Sequence, residues 1–281
     1  KDRDPAGYET MNATAKVRIG AVSYLNTKPL VHRLTELAPQ ADVQFDVPSG
    51  LADRLAAGEL DVALIPTVEF FQNPDYRIVS DACIACRGPV LSVKLFSRVP
   101  PAEIRSIALD EGSRTSVALV RILLRERYGI TPELGPLPIG ADFADAAQDA
   151  VLLIGDRAIH SPVGQFAAVW DLGDEWCRWS ESPFVFAMWT ARKDADLHGV
   201  DDALAAARDA GCAELERIAC VEGPKLGLTT PECLAYLRDN LYFWLGANER
   251  RGLDLFHRLS IEQGLAPAGV QLDICDLDVA R

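Results

Sequence analysis

Five short clusters of hydroxyl, amide and acidic residues hold the side chains best suited to chemistry in this sequence. They are Ser23-Tyr24-Leu25-Asn26-Thr27, Pro66-Thr67, Gly88-Pro89 with Ser92 just beyond, Ser113-Arg114-Thr115-Ser116, and Gly155-Asp156. Most follow an apolar, strand-like run at the point where a helix would begin. Free amides at a helix start, helped by Ser and Thr hydroxyls, bind carboxylates or phosphates. Taken singly, each Ser or Thr reads first as an N-cap. Several meeting in one cleft would form an anion site. Asp156 reads as a general base or as a cap, capping being the simpler reading.

Other chemistries are thinly represented. There is no G-x-G-x-x-G, no G-x-x-x-x-G-K-[ST] and no G-x-S-x-G, so neither a nucleotide fingerprint nor a nucleophile elbow is present. Cys83-x-x-Cys86 stands without a second pair or a nearby His, which argues against zinc. Two buried thiols are a simpler reading than a redox pair. His32, His160, His198 and His257 lie far apart, without metal-ligand spacing. Trp170, Trp176, Trp179 and Trp189 read mostly as core of a second lobe, with Trp179 near Pro183 a candidate edge of a cleft. Motif chemistry alone describes a small-anion binding protein or enzyme and names no mechanism.

The elements that must position these clusters alternate. Strands are expected at Lys16–Val22, Val43–Val47, Asp61–Ile65 and Val90–Phe96, with helical spacing over Leu30–Leu37, Leu51–Ala56 and Val68–Gln72. After Pro100-Pro101 the rhythm restarts with strands Ser106–Leu109 and Ala150–Ile154. An amphipathic helix between them carries Val117, Val120, Leu124 and Tyr128 on one face and ends at Gly129. Phe184–Thr190 is a long apolar strand. Beyond it the pattern is helical: Asp201–Val221, Pro231–Leu245 and Asn248–Gln263. This rhythm predicts an α/β fold of two lobes with mostly parallel sheets and a ligand cleft beyond the strand ends. The first lobe would comprise residues 16–99 and 188–281, and the second 100–187. Strands near Val93–Ser97 and Phe186–Arg192 would carry the chain across and back.

Length and charge set outer bounds. At 281 residues the chain is long enough for two domains and a sizeable core. A net charge of −13 leaves no basic stripe for nucleic acid or an anionic membrane. Apolar runs stay short of transmembrane length. Seven scattered cysteines read as reduced thiols of a cytoplasmic protein. Residues 1–15 read as a leader or tag outside the fold, with Met11 a possible native start. The stretch from Ala266 onward reads as a final strand or a tail.

The clusters also sit in longer motifs. V-R-I-G-A-V-S-Y-L-N-T-K-P-L (Val17–Leu30), G-E-L-D-V-A-L-I-P-T-V-E-F (Gly58–Phe70), G-P-V-L-S-V (Gly88–Val93), S-R-T-S-V-A-L (Ser113–Leu119), L-I-G-D (Leu153–Asp156) and P-F-V-F-A-M-W (Pro183–Trp189) occur in order. This series resembles the chorismate dehydratase family of the futalosine route to menaquinone, from about Val17 to Gln263. The resemblance implies a type II periplasmic-binding-protein fold used by a cytoplasmic, cofactor-free and metal-free enzyme. It implies chorismate, a dicarboxylate, as substrate, with no nucleic-acid or membrane partner. By the same resemblance Asn26 and Ser92 are the catalytic positions. Tyr24, Pro66, Thr67, Gly88, Pro89, Ser113, Arg114, Thr115, Ser116, Gly155 and Asp156 would bind substrate, with Arg114 either facing the cleft or bracing the lobe. The motif positions offer no His or Glu as base, so the substrate's own side-chain carboxylate is the expected proton acceptor. Two alternatives stay open. One is a carboxylate-binding protein without turnover. The other is the sister 1,4-dihydroxy-6-naphthoate synthase, whose opening motif is rich in Ser, Pro and Cys ahead of an Asn-Asp pair.

Overall fold

The structure, a computed structural model, describes residues 16–141, 143–160 and 164–270. The chain opens with β1 (Val17–Val22), a 3-10 turn over Leu25–Val31, α1 (Leu34–Leu37), β2 (Ala41–Asp46), α2 (Pro48–Ala56), β3 (Val62–Pro66), α3 (Thr67–Phe70) and β4 (Tyr76–Cys86). It continues through β5 (Val93–Ser97), β6 (Ser106–Asp110), α4 (Thr115–Tyr128), β7 (Glu133–Leu137), β8 (Ala150–Ile154), α5 (Asp156–Ile159), β9 (Ala168–Asp171) and α6 (Leu172–Ser180). It closes with β10 (Phe184–Arg192), α7 (Val200–Ala213), α8 (Leu215–Glu222), α9 (Thr230–Ala235), a π-helical turn over Tyr236–Asn240, β11 (Tyr242–Trp244) and α10 (Ala247–Glu262).

Two sheets define two lobes, with strand orders β11-β4-β10-β3-β1-β2 and β7-β6-β8-β5-β9. The central strands β3, β5 and β8 are buried at every position. Strands covered on both faces need such continuous apolar runs. Gly129 ends α4 in the left-handed conformation at φ +67, the conformation a C-terminal glycine supplies without strain. Around Trp176, Phe184 and Phe256, with ring centroids 4.9–5.9 Å apart, α6, β10 and α10 are packed into one aromatic cluster. Among the described residues no helix is long and apolar enough to cross a membrane.

Several expectations change. Val93–Ser97 pairs with β8 and β9, wholly in the second sheet, and Phe184–Arg192 pairs with β3 and β4, wholly in the first. The chain therefore crosses at residues 87–92 and 181–183, short of the expected boundaries at 99/100 and 187/188. The first sheet is mixed, because β4, β10 and β11 run antiparallel to their partners while β1, β2 and β3 are parallel. The long strand β4 escapes the sequence pattern because Arg77, Ser80 and Asp81 interrupt its apolar run. Asp81 is bonded by Arg208, itself buried, which makes its place in the sheet tenable. The helix expected over Leu30–Leu37 is broken at Arg33, which has φ +57. The helix expected over Pro231–Leu245 ends at Asn240, and Tyr242–Trp244 edges the first sheet against β4 instead. Trp189 belongs to the first sheet. The expected leader and all but the start of the expected final strand lie outside the described residues.

Candidate active site

A cleft lies between the lobes. Its polar lining comes from Tyr24 and Asn26 after β1, Ser92 on the crossing segment, and Ser113, Arg114, Thr115 and Ser116 at the start of α4. Pro66 and Gly155, also expected, line it too. The rest of the wall is Val22, Pro48, Ile84, Val90, Val93, Ile154, Phe186 and Ala187, which the sequence reading did not single out. Their signal was positional, since Val22 and Ile154 are the last residues of the buried strands β1 and β8.

The first turn of α4 is left without a side-chain cap, so its leading amides are open toward the cleft. Three other helix starts donate across the lobes. The Leu25 amide donates to Asp156 Oδ1 at 2.9 Å, and the Val68 amide donates to Thr115 Oγ1 at 3.2 Å. At the entrance of α2 the Ser49 amide donates to the Gly112 carbonyl at 3.2 Å. Arg114 reaches Asp53 at 2.7 Å and Glu69 at 3.1 Å, both on the opposite lobe, so its charge braces the lobes while its stem lines the cleft. The Tyr24 ring packs against Gly155, which has φ +67. These contacts hold the lobes closed.

Four expected binding residues stand behind the wall. The Thr67 hydroxyl is fully buried and donates to the Val185 carbonyl at 2.8 Å. Gly88 and Pro89 lie at the start of the crossing segment, where the Pro89 carbonyl accepts from Asn240 Nδ2. Asp156 is occupied as the cap of Leu25, and burial raises its carboxyl above the ordinary range against the pull of that amide. None of the four tryptophans in question lines the cleft.

Ser92 is fixed through a residue that sequence reasoning missed. Asp171, the last residue of β9, accepts from the Val90 amide at Oδ1 (2.9 Å) and the Leu91 amide at Oδ2 (2.7 Å), and its Oδ1 also caps α6 through the Gly173 and Asp174 amides. Leu91 is held at φ +60, and the Ser92 amide closes a tight turn on the Val90 carbonyl at 2.7 Å. The Ser92 carbonyl accepts from the Gly155 amide at 2.9 Å. A non-glycine residue in this region is strained, and such strain persists only where its surroundings over-determine it. The sequence signal for Asp171 was Asp-Leu-Gly-Asp at a helix start, an N-cap pattern. Cys86, on the same approach, contacts the Cys177 thiol.

The lining holds two titratable side chains, Tyr24 and Arg114. Burial, with Asp110 nearby, pushes the Tyr24 phenol up to about 12, so it is protonated at neutral pH. Among the described residues no cluster of three or more His, Cys, Asp or Glu could hold a metal ion.

Two closed lobes with a cleft at their strand ends define the periplasmic-binding-protein class of fold. The fold is similar to that of the alkanesulfonate-binding protein SsuA from Xanthomonas axonopodis pv. citri, solved with MOPS, with a TM-score of 0.65 and 15% identity over 92% of this chain and 96% of that one. It is also similar to a Candida albicans gene product with the generic periplasmic binding protein fold (TM-score 0.54, 11% identity, 92% and 98% covered). Within that class the chain belongs to the menaquinone biosynthesis family, whose profile matches residues 17–262. It is 31% identical over 256 residues to the chorismate dehydratase of Thermus thermophilus, spanning 85% of this chain and 93% of that one.

Proposed function

We propose that this protein is a cofactor-independent chorismate dehydratase, a carbon–oxygen lyase that forms 3-((1-carboxyvinyl)oxy)benzoate and water. The observation that carries the reading is convergence. Asn26 of the first lobe and Ser92 of the crossing segment meet the open N-terminus of α4 in one closed cleft. The relative from Thermus thermophilus supports the choice of substrate. Among the described residues six thiols are free, three of them buried, which suits the cytoplasm.

One substrate carboxylate rests on the leading amides of α4 and the hydroxyls of Ser113, Thr115 and Ser116, where the helix dipole favours negative charge. A C–H bond breaks at the ring carbon bearing the ether oxygen, and a C–O bond breaks at the neighbouring carbinol carbon. The substrate's side-chain carboxylate accepts the proton, which departs with the hydroxide as water. Aromatisation of the ring drives the step. No lining side chain is a carboxylate, His or Cys, which supports a base supplied by the substrate. Asn26 and Ser92 orient the ring and stabilise charge as it develops, so the protein contributes position and preorganised dipoles. Closure keeps water out.

The test is incubation with chorismate, without added metal or cofactor, followed by mass spectrometry. Loss of one water with an aromatic product is expected. Asn26→Asp and Ser92→Ala should each stay folded and lose at least tenfold in kcat, the scale on which lost transition-state hydrogen bonds are felt. Full activity in both variants would sink the residue roles. Binding without turnover would favour a carboxylate-binding protein, and a different product would favour the sister synthase.

A further inference from the structure

The backbone of Ser92 is fixed from three sides, but its hydroxyl is not. The one hydrogen bond it makes is a long one of 3.4 Å to the Val90 carbonyl, within its own turn. What it faces on the protein side is the Tyr236 hydroxyl. Tyr236 is 2% exposed, and its hydroxyl has no formed hydrogen bond in the closed protein. The two hydroxyls are neighbours, but no hydrogen bond joins them. A buried phenol left unpartnered is unusual, because burying an unpaired hydroxyl is costly and such groups are rare.

The element that brings Tyr236 there is equally specific. Helix α9 starts with a Thr229–Glu232 capping box and then widens into the π-helical turn Tyr236–Asn240. Short π-helical turns carry strain and frequently occur at functional sites. This turn grips the crossing segment at both ends. Asn240 Nδ2 bonds the Pro89 carbonyl at 2.9 Å, and Tyr236 faces Ser92. Burial keeps the phenol protonated, raising it far above its ordinary value, so it is available as a donor.

We propose that Tyr236 is a positioning residue for Ser92: its phenol donates to Ser92 Oγ and turns the serine's own proton away from Val90 and into the cleft, toward the departing oxygen. Tyr236 does not line the cleft and touches no substrate. It acts through Ser92 alone. The inference rests on the dehydratase reading for its catalytic consequence, while the coupling of the two hydroxyls does not depend on it.

Tyr236→Phe keeps the ring and removes only the donor. The expected result is a loss of about tenfold in kcat for chorismate with KM within twofold, and no further loss when the substitution is added to Ser92→Ala. In urea unfolding, Tyr236→Phe and Ser92→Ala should combine non-additively, by about threefold or more in the unfolding equilibrium constant, as contacting residues do. Wild-type kcat in Tyr236→Phe, or an equal loss in the Ser92→Ala background, would overturn the proposal. Failure of the wild-type protein to dehydrate chorismate would refute the dehydratase reading instead. The urea cycle then decides on its own, since additive unfolding effects would overturn the coupling.

Discussion

Replacing Gly155 by alanine tests the closed cleft at its tightest contact. Gly155 has φ +67 and ψ −153, a region occupied almost only by glycine, and forcing another residue into it costs about 1–3 kcal/mol. Its Cβ would lie 2.7 Å from Cε2 and Cζ of Tyr24, where ordinary contact begins at 3.4 Å. The ring would have to retreat by about 0.7 Å to restore an ordinary van der Waals gap. Overpacking of that kind adds about 1–3 kcal/mol. Tyr24 stands two residues before Asn26 on the turn that Asp156 anchors, so its retreat displaces Asn26. A displacement approaching 1 Å costs up to about a hundredfold in rate. We expect Gly155→Ala to lose about 3 kcal/mol in urea unfolding and at least tenfold in chorismate turnover. In a Tyr24→Ala background the clash is gone, and only the backbone share of the stability loss should remain. An equal loss in both backgrounds would refute the contact between the lobes as its source. A loss below about 0.5 kcal/mol would refute both parts.

Asp156→Asn keeps an acceptor for the Leu25 amide and should retain turnover within about threefold, while Asp156→Ala should raise KM about tenfold by removing a hydrogen bond worth roughly 1.5 kcal/mol; steady-state kinetics that show the Asn variant inactive would restore Asp156 as a base. Arg114→Met loses half-exposed ion pairs to Asp53 and Glu69, so stability should fall by less than about 1 kcal/mol, while KM rises and becomes less sensitive to salt. The Arg18 guanidinium bonds Asp61 through Nε at 3.0 Å and Nη2 at 2.6 Å and holds that carboxyl below its ordinary range. A depressed carboxylate contributes stability that is complete above its unfolded pKa, about 4, and is lost as pH falls through the folded value. Asp61→Asn should therefore cost about 1 kcal/mol in thermal or urea melts at pH 7, and its gap to wild type should close below about pH 4.

The legible parts of this fold were those that one strand or helix decides alone. β3 and β8 announce themselves because burial on both faces demands uninterrupted apolar residues. The end of α4 is visible because Gly129 takes a conformation other residues resist. β4 was hidden, since its polar residues are tolerated through partners more than a hundred residues away, Arg208 among them. The site divides the same way. Asn26, Ser92 and the Ser113–Ser116 run could be picked out by motif. Asp156 and Arg114 could be named but not assigned, because whether a carboxylate caps or reacts depends on what the other lobe brings to it. Asp171 was legible as a helix cap, but its hold on the Ser92 turn, like the place of Tyr236 beside Ser92, exists only in the folded chain.

The way the cleft attracts its ligand bears on how the proposed reaction finds its base. With a net charge of −13 the protein repels dicarboxylates at long range, so attraction has to be local. Arg114, the cation in the lining, is already committed to Asp53 and Glu69. A carboxylate gripped by an unpaired guanidinium would lose basicity, because the opposite charge stabilises its ionised form. Open amides at a helix start and neutral hydroxyls supply a weaker hold, equivalent to about half a charge at the helix end. Within a closed, largely apolar wall even this is strong enough to orient an anion, since water no longer screens it. A second substrate carboxylate with no cation beside it is poorly solvated there, and desolvation raises its proton affinity. On these grounds the site favours a substrate that serves as its own base. Introducing a cation tests the point: Val93→Lys, in the lining near Ser92, should tighten chorismate binding while lowering kcat, and an unchanged or higher kcat would contradict the argument.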